Sequence, residues 1–113
     1  RIEDQMAASK PRLKFPEQAQ AGEIIEIKAL ITHVMETGNR KDAEGHQIPR
    51  NIIHTFTAHY DGALVFKADF GSGISANPYL AFFLKVPGPG ELVVTWADDE
   101  GGETVERYPL NVV

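Results

Sequence analysis

The stretch from Ile74 to Trp96 constrains this chain more than any other. It joins two β-rich runs, Tyr-Leu-Ala-Phe-Phe-Leu-Lys-Val and Glu-Leu-Val-Val-Thr-Trp, across Pro87-Gly-Pro-Gly90. Pro78 has no N–H to give a sheet ladder and sits most easily at a strand start, so a strand is expected from Tyr79. The Pro/Gly punctuation followed at once by a second β-rich run reads as a hairpin with Val86 facing Glu91. Side chains alternate between sheet faces with period two. One face of that hairpin carries Leu80, Phe82, Leu84, Val93, Thr95 and Ala97; the other carries Ala81, Phe83, Lys85, Leu92, Val94 and Trp96. An antiparallel sheet with one face in water alternates apolar with polar, whereas here both faces are apolar. One fills the core and the other needs a cover, either a loop of the same chain or a partner protein. Left bare, it would expose roughly several hundred Å², a patch too large to be incidental on a monomer.

Composition narrows what the cover can be. At 113 residues the chain makes one domain with one core. No apolar run approaches the ~20 residues that span a bilayer, so no membrane partner is expected. A formal net charge of −5 argues against nucleic acid, whose phosphates call for a basic stripe. The clustered cations are Lys10-Pro-Arg-Leu-Lys14 and Arg40-Lys41. The sequence has no cysteine, which excludes disulfides, thiol catalysis by this chain and cysteine-ligated metal or haem. The N-terminus shows no apolar secretory segment.

Residues 1–10 are polar and without periodicity and are expected to be loose, with Met6 a candidate initiator and Arg1 to Gln5 a remnant of something upstream. A single domain then covers 11–113. Leu13-Lys-Phe15 between Pro11 and Pro16 reads as a short edge strand, and Glu17 to Gly22 as a link with room for one helical turn. In Glu23 to His33, Ile25, Ile27, Ala29 and Ile31 share one face, the pattern of a half-buried strand. Met35 to Arg50 is long, charged and broken by glycine and proline, so it reads either as solvated surface or as a recognition loop, with a small Asp42-to-Gly45 turn. Asn51 to Tyr60 aligns Ile52, His54, Phe56, Ala58 and Tyr60. Asp61-Gly62 is a hairpin signal, and Leu64, Phe66, Ala68 and Phe70 align in the returning strand. Asp98 to Gly102 turns the chain into a last strand with Tyr108, Leu110 and Val112 aligned. About seven strands at this spacing, with no helical repeat, predict an all-β, immunoglobulin-like sandwich of antiparallel strands, with a small barrel as the alternative.

Candidate chemistry is sparse. His54 and His59 have opposite parity on one strand and point to opposite faces. His33 and Met35 share parity at the mouth of the long loop, and with His46 they form the alternative reading, a soft copper(I) site. Asp98, Asp99 and Glu100 read as turn residues. Ser72 and Ser75 lack a Gly-x-Ser-x-Gly elbow, and no glycine cluster precedes a helix to cradle phosphate. No catalytic, cofactor or metal residue is assigned.

Seven separated motifs resemble one family. Lys14-Phe-Pro16, Gly22-Glu-Ile-Ile-Glu-Ile-Lys28, His33-Val-Met-Glu-Thr-Gly38, Arg40-Lys-Asp42, Ile48-Pro-Arg50, Ile74-Ser-Ala-Asn-Pro-Tyr79 and Thr95-Trp-Ala-Asp-Asp-Glu-Gly101 occur in the order found in SoxZ. The resemblance covers Pro11 to Val113. It implies the non-catalytic subunit of the SoxYZ sulfur carrier of bacterial thiosulfate oxidation. In that family SoxY carries sulfur intermediates on a cysteine at the end of a glycine-rich arm. SoxAX loads thiosulfate, SoxB releases sulfate and SoxCD oxidises the remaining sulfane. A cysteine-free chain without such an arm fits the SoxZ role. The resemblance also implies a periplasmic location, reached by export bound to SoxY.

The two-faced hairpin is the expected docking surface. Its interface residues are Ser75, Asn77, Pro78, Tyr79, Leu80, Phe82, Leu84 and Val93, with Phe82 as the aromatic anchor and the 35–50 loop at the rim. A stable interface of this kind buries roughly 1,200–2,000 Å². SoxY is the expected heterodimer partner, SoxAX, SoxB and SoxCD make transient contacts, and a homodimer is the expectation when SoxY is absent.

Overall fold

The computed structural model describes residues 9–113 and is all-β. Its strands are β1 (Ser9–Lys14), β2 (Gln18–Ala19), β3 (Ile24–Thr32), β4 (Ile53–Tyr60), β5 (Ala63–Asp69), β6 (Tyr79–Lys85), β7 (Gly90–Asp98) and β8 (Glu103–Val112). They form a three-stranded sheet, β1-β3-β6, and a five-stranded sheet, β2-β8-β7-β4-β5. All pairings are antiparallel except β2 with β8. This is the expected immunoglobulin-like sandwich. Ser9 and Lys10 already belong to β1, and the rest of the expected loose segment lies outside the described residues. The helical turn allowed for Glu17 to Gly22 is replaced by the short parallel strand β2 and a turn.

The expected hairpin of β6 with β7 does not form. β6 pairs with β3, from Ile24 opposite Lys85 to Leu30 opposite Tyr79, while β7 lies between β4 and β8 in the other sheet. Val86, expected opposite Glu91, instead donates its N–H to the Glu23 carbonyl at 2.8 Å and accepts from Gly22 N–H at 2.6 Å. Pro87 to Pro89 therefore carry the chain across the sandwich. This removes the premise of a two-faced sheet. The buried residues of β6 (Phe82, Leu84) and those of β7 (Leu92, Val94, Trp96) belong to one core, approached from opposite sheets. Residues of the same chain supply the cover.

Aromatic contacts bind the two sheets. Phe56 of β4 meets Trp96 of β7 edge-on at 5.2 Å and Phe82 of β6 at 5.9 Å. Phe66 of β5 stacks on Phe82 at 4.6 Å. On the opposite flank, Phe15 meets Tyr108 edge-on at 5.6 Å. Such pairs add to the apolar area they remove from water.

Two register shifts alter the expected faces. One in β4 between Ile53 and Thr55 leaves Ile52 and Ile53 both buried, so His54 stands half-buried instead of in line with Phe56. Another, beside Ala58 and His59, takes Leu64 out of the Phe66, Ala68, Phe70 row and exposes it. Extra residues of this kind re-aim their neighbours. Asp61 and Gly62 both have positive φ, as the tight turn predicted for them requires.

The β6–β7 link is fixed by Tyr60, whose hydroxyl donates to the Gly88 carbonyl at 2.5 Å. A Cβ on Gly90 would lie 2.9 Å from the Tyr60 ring, while one on Gly88 would meet nothing within 4 Å. Gly90→Ala is therefore expected to cost about 1–3 kcal/mol in urea unfolding. Gly88→Ala should stay within about 0.5 kcal/mol of the parent.

Candidate functional site

One end of the sandwich gathers the 35–50 loop, the 71–78 loop and the β7–β8 turn. His33, just past β3, is buried. Its N–H donates to Asn77 Oδ1 at 2.9 Å, and Asn77 N–H donates back to the His33 carbonyl at 2.7 Å. Asn77 and Met35 both hold positive φ, a conformation that asparagine tolerates and methionine rarely takes. Met35 is buried despite standing at the head of a charged loop.

The loop itself is folded. Glu36 and Asn51 exchange backbone hydrogen bonds at 2.8 Å, which closes its base. Buried Glu36 accepts from Arg40, with both carboxylate oxygens 3.1 Å from Nε. Lys41 and Gln47 bridge around a turn in which Gly45 N–H reaches the Asp42 carbonyl, as expected for Asp42 to Gly45. Arg50 grips Asp99 through two hydrogen bonds, 2.8 and 3.0 Å, and Asp99 also accepts from Ile52 N–H. Asp98, read from sequence as an ordinary turn residue, takes N–H groups from Glu100 and Gly102.

Charge follows this geometry. The hydrogen bond from Arg40 holds the Glu36 carboxyl below its usual range, against the opposing effect of burial. Burial works against the Asp99 carboxylate, but Arg50 and the Ile52 N–H outweigh it and keep its pKa low. Burial pushes His33 down from its ordinary 6.5, partly offset by Asp98, Asp99 and Glu100.

The groups considered for copper(I) are engaged with the backbone. His33 Nδ1 accepts Met35 N–H at 2.8 Å, and the Met35 sulfur accepts Ile53 N–H at 3.3 Å. His46 lies out on the loop beside Asp42 and Glu44. Among the described residues no three His, Cys, Asp or Glu side chains are grouped to hold a metal.

The expected interface residues divide four ways. Ser75, Asn77 and Tyr79 are exposed and lead into β6, with Leu80 half-buried beside them. Pro78 is buried, its carbonyl accepting from Ile31 N–H. Phe82 and Leu84 are 3% and 5% exposed and face the core, so neither is a surface anchor in this subunit. Val93 lies in the other sheet, opposite His59 and Arg107, and is not brought together with the rest. The aromatics that β6 does present are Phe83, 68% exposed, and Tyr79, 59% exposed. Lys85 shares their parity, and a charged side chain marking the wet face was the signal in the sequence for this choice.

β6 is also an edge. Val86 and Pro78 direct their polar main-chain groups at β3. By alternation Leu80, Phe82 and Leu84 do the same, and Tyr79, Ala81, Phe83 and Lys85 turn theirs to the open side. No other described strand pairs there, and β5, the terminal strand of the second sheet, flanks the same opening through the Phe66–Phe82 stack. Tyr79 to Leu84 contains no charge and no proline, the usual guards of an exposed edge.

The buried His33 gives this end a pH signature. Lowered in the folded state, it binds its proton more readily once unfolded, so its contribution is complete above 6.5 and declines as pH falls toward the folded value. Unfolding free energy should drop between pH 6.5 and about pH 5, where the low-lying carboxylates Glu36 and Asp99 remain ionised. His33→Gln should flatten that slope in urea titrations run at each pH.

Comparison with known proteins assigns the chain. Among curated proteins none matches it. Solved structures share the fold at low identity. A variant of superoxide reductase (neelaredoxin) from Ignicoccus hospitalis aligns with TM-score 0.71 and 17% identity, covering 99% of this chain and 86% of that one. The sulfur carrier protein SoxY from Chlorobium limicola f thiosulfatophilum aligns with TM-score 0.62 and 12% identity over 90% of this chain and 74% of its own. A superoxide reductase structure in the oxidized state aligns at 0.63 and 15%, covering 98% and 100%. These likenesses speak for the fold alone. The model of the family described as sulphur oxidation protein SoxZ matches residues 13–108. A match over most of the chain, spanning the motifs noted in the sequence, places this protein in the SoxZ family of sulfur oxidation proteins.

Proposed function

We propose that this chain is the non-catalytic partner of SoxY in a periplasmic sulfur carrier, and that it pairs with SoxY along the free edge of β6. The family match over residues 13–108 carries the assignment to sulfur oxidation. The missing cysteine supports the division of labour. A covalent sulfur intermediate needs a thiolate, this sequence offers none, and the thiol must come from the partner.

The open edge supports the mode of pairing. Residues 79, 81, 83 and 85 present main-chain donors and acceptors to a strand from outside, the arrangement used in β-augmentation. A partner of the same fold, as SoxY is at TM-score 0.62, can supply such a strand from its own sheet. Ser75, Asn77 and Tyr79 lie where that strand would enter, with Leu80 behind them. Phe82 and Leu84 contribute from the inside by holding β6 against Phe56 and Phe66. Transient encounters with SoxAX, SoxB and SoxCD, and self-pairing in the absence of SoxY, follow from the same reading.

Co-expression with SoxY should give a stable one-to-one complex, and a chain that purifies alone in its presence would refute the assignment. Ala81→Pro removes an outward N–H and leaves the pairing with β3 intact, a place where edge strands accept proline. It should keep the parent's circular dichroism and melting temperature and weaken SoxY binding about tenfold or more. Parental affinity in this variant would move the interface off the β6 edge.

A further inference from the structure

The outer face of the three-stranded sheet differs in charge from the rest of the molecule. Pointing away from the core are Arg12 and Lys14 on β1, Ile24, Glu26 and Lys28 on β3, and Tyr79, Phe83 and Lys85 on β6. Four cations share this face with one carboxylate, on a chain whose formal net charge is −5. Glu26 is 3.8 Å from Lys28 and leaves the others unpaired by it. Lys14 stands directly opposite Lys28 in register. Like charges so placed repel across neighbouring strands, and the sheet gains nothing from the arrangement. Beside them Lys14, Phe15, Pro16, Glu26 and Lys28 line a shallow hollow. Ile24, Tyr79 and Phe83 are more than half exposed on the same face. Aromatics and arginine are the residue types enriched where proteins meet.

We infer that this face is a docking surface for a protein that presents an acidic patch, distinct from the β6 edge. Carboxylates from outside would relieve the Lys14–Lys28 repulsion, and the exposed Phe83, Tyr79 and Ile24 would supply apolar contact beside them. Four cations with exposed apolar side chains alongside them, on an acidic chain, suit a protein better than a phosphate polymer, which calls for a long basic stripe. The attraction acts mostly on encounter rate and selectivity, as suits a carrier that must leave each enzyme as readily as it arrives. The choice of partners rests on the SoxZ reading above: they are the enzymes that act in turn on the shared carrier.

The test is to immobilise this chain in complex with SoxY and titrate SoxAX, SoxB and SoxCD at about 50 and about 200 mM salt, a range over which screening changes markedly. At least one enzyme should bind, more weakly at the higher salt. Lys14→Glu with Lys28→Glu should weaken that binding about tenfold or more and flatten its salt dependence, while SoxY stays bound. Lys67→Glu, on the exposed face of the other sheet, should change neither. If the double reversal fails to fold, Lys14→Gln with Lys28→Gln should give the same trend. The inference is overturned if no enzyme binds the parent, if binding is indifferent to salt or to the lysine changes, or if the lysines govern only self-association or adhesion to phosphatidylglycerol vesicles. Should SoxY fail to pair with the parent, the earlier reading falls, and the same titration on the free chain still decides this one.

Discussion

Phe82 of the smaller sheet reaches between Phe56 and Phe66 of the larger one, and Phe56 in turn meets Trp96. This contact across the sandwich decides how β6 lies. With Phe82 and Leu84 directed inward, alternation leaves no choice for the rest of the strand: Tyr79, Phe83 and Lys85 go to water. The three-stranded sheet can then grow only past β6 or past β1. Tyr60 completes the arrangement. Its ring stands where Gly90 must have no side chain and its hydroxyl holds Gly88, so the strand after the crossover starts at one fixed place in the other sheet.

A second set of contacts, polar ones, orders the far end. Beyond Met35, which is buried in the core, the 35–50 loop is polar, and Glu36, Arg40, Arg50 and Asp99 tie it to itself and to the β7–β8 turn. His33 and Asn77 exchange hydrogen bonds between the ends of β3 and β6, so the strained backbone at Asn77 is held from two directions. The entry to β6 at Asn77 is therefore anchored to the end of β3.

Strand alternation made most of the fold readable from sequence. β3 declares its inward face through Ile25, Ile27, Ala29 and Ile31, and Asp61-Gly62 declares its hairpin. What pairing β6 would choose could not be read, because Pro-Gly-Pro-Gly suits a crossover as well as a turn and period two says nothing about which strand lies alongside. Taking β6 and β7 as neighbours groups the inward side of one with the outward side of the other and makes Phe82 a surface anchor, which its burial corrects. The bulges near Ile53 and His59 were illegible for a related reason: one extra residue leaves no compositional trace, yet it turns His54 and Leu64 away from the rows they seemed to join. Glu36 was hidden as well. A carboxylate in a charged loop looks solvated until Arg40, four residues on, is seen to close over it.

A carrier subunit that pairs permanently with one protein and briefly with several others faces conflicting demands on its surface. The permanent contact needs directional, water-excluding bonds, and an open strand edge supplies them through main-chain groups that substitutions other than proline leave in place. The brief contacts need rapid capture and easy release. Exposed charge provides this, since it acts at a distance and is weakened by screening once the surfaces part. On the proposed reading, β6 meets the two requirements at right angles. The strand's hydrogen bonds lie in the plane of the sheet while Phe83 and Lys85 stand perpendicular to it, next to Glu26 and Ile24. A partner strand added beside β6 would therefore leave the basic face uncovered and extend it by its own outward residues. On the proposed reading, the charge of that face in the working carrier is set jointly by this chain and by whatever SoxY places alongside Tyr79 to Lys85.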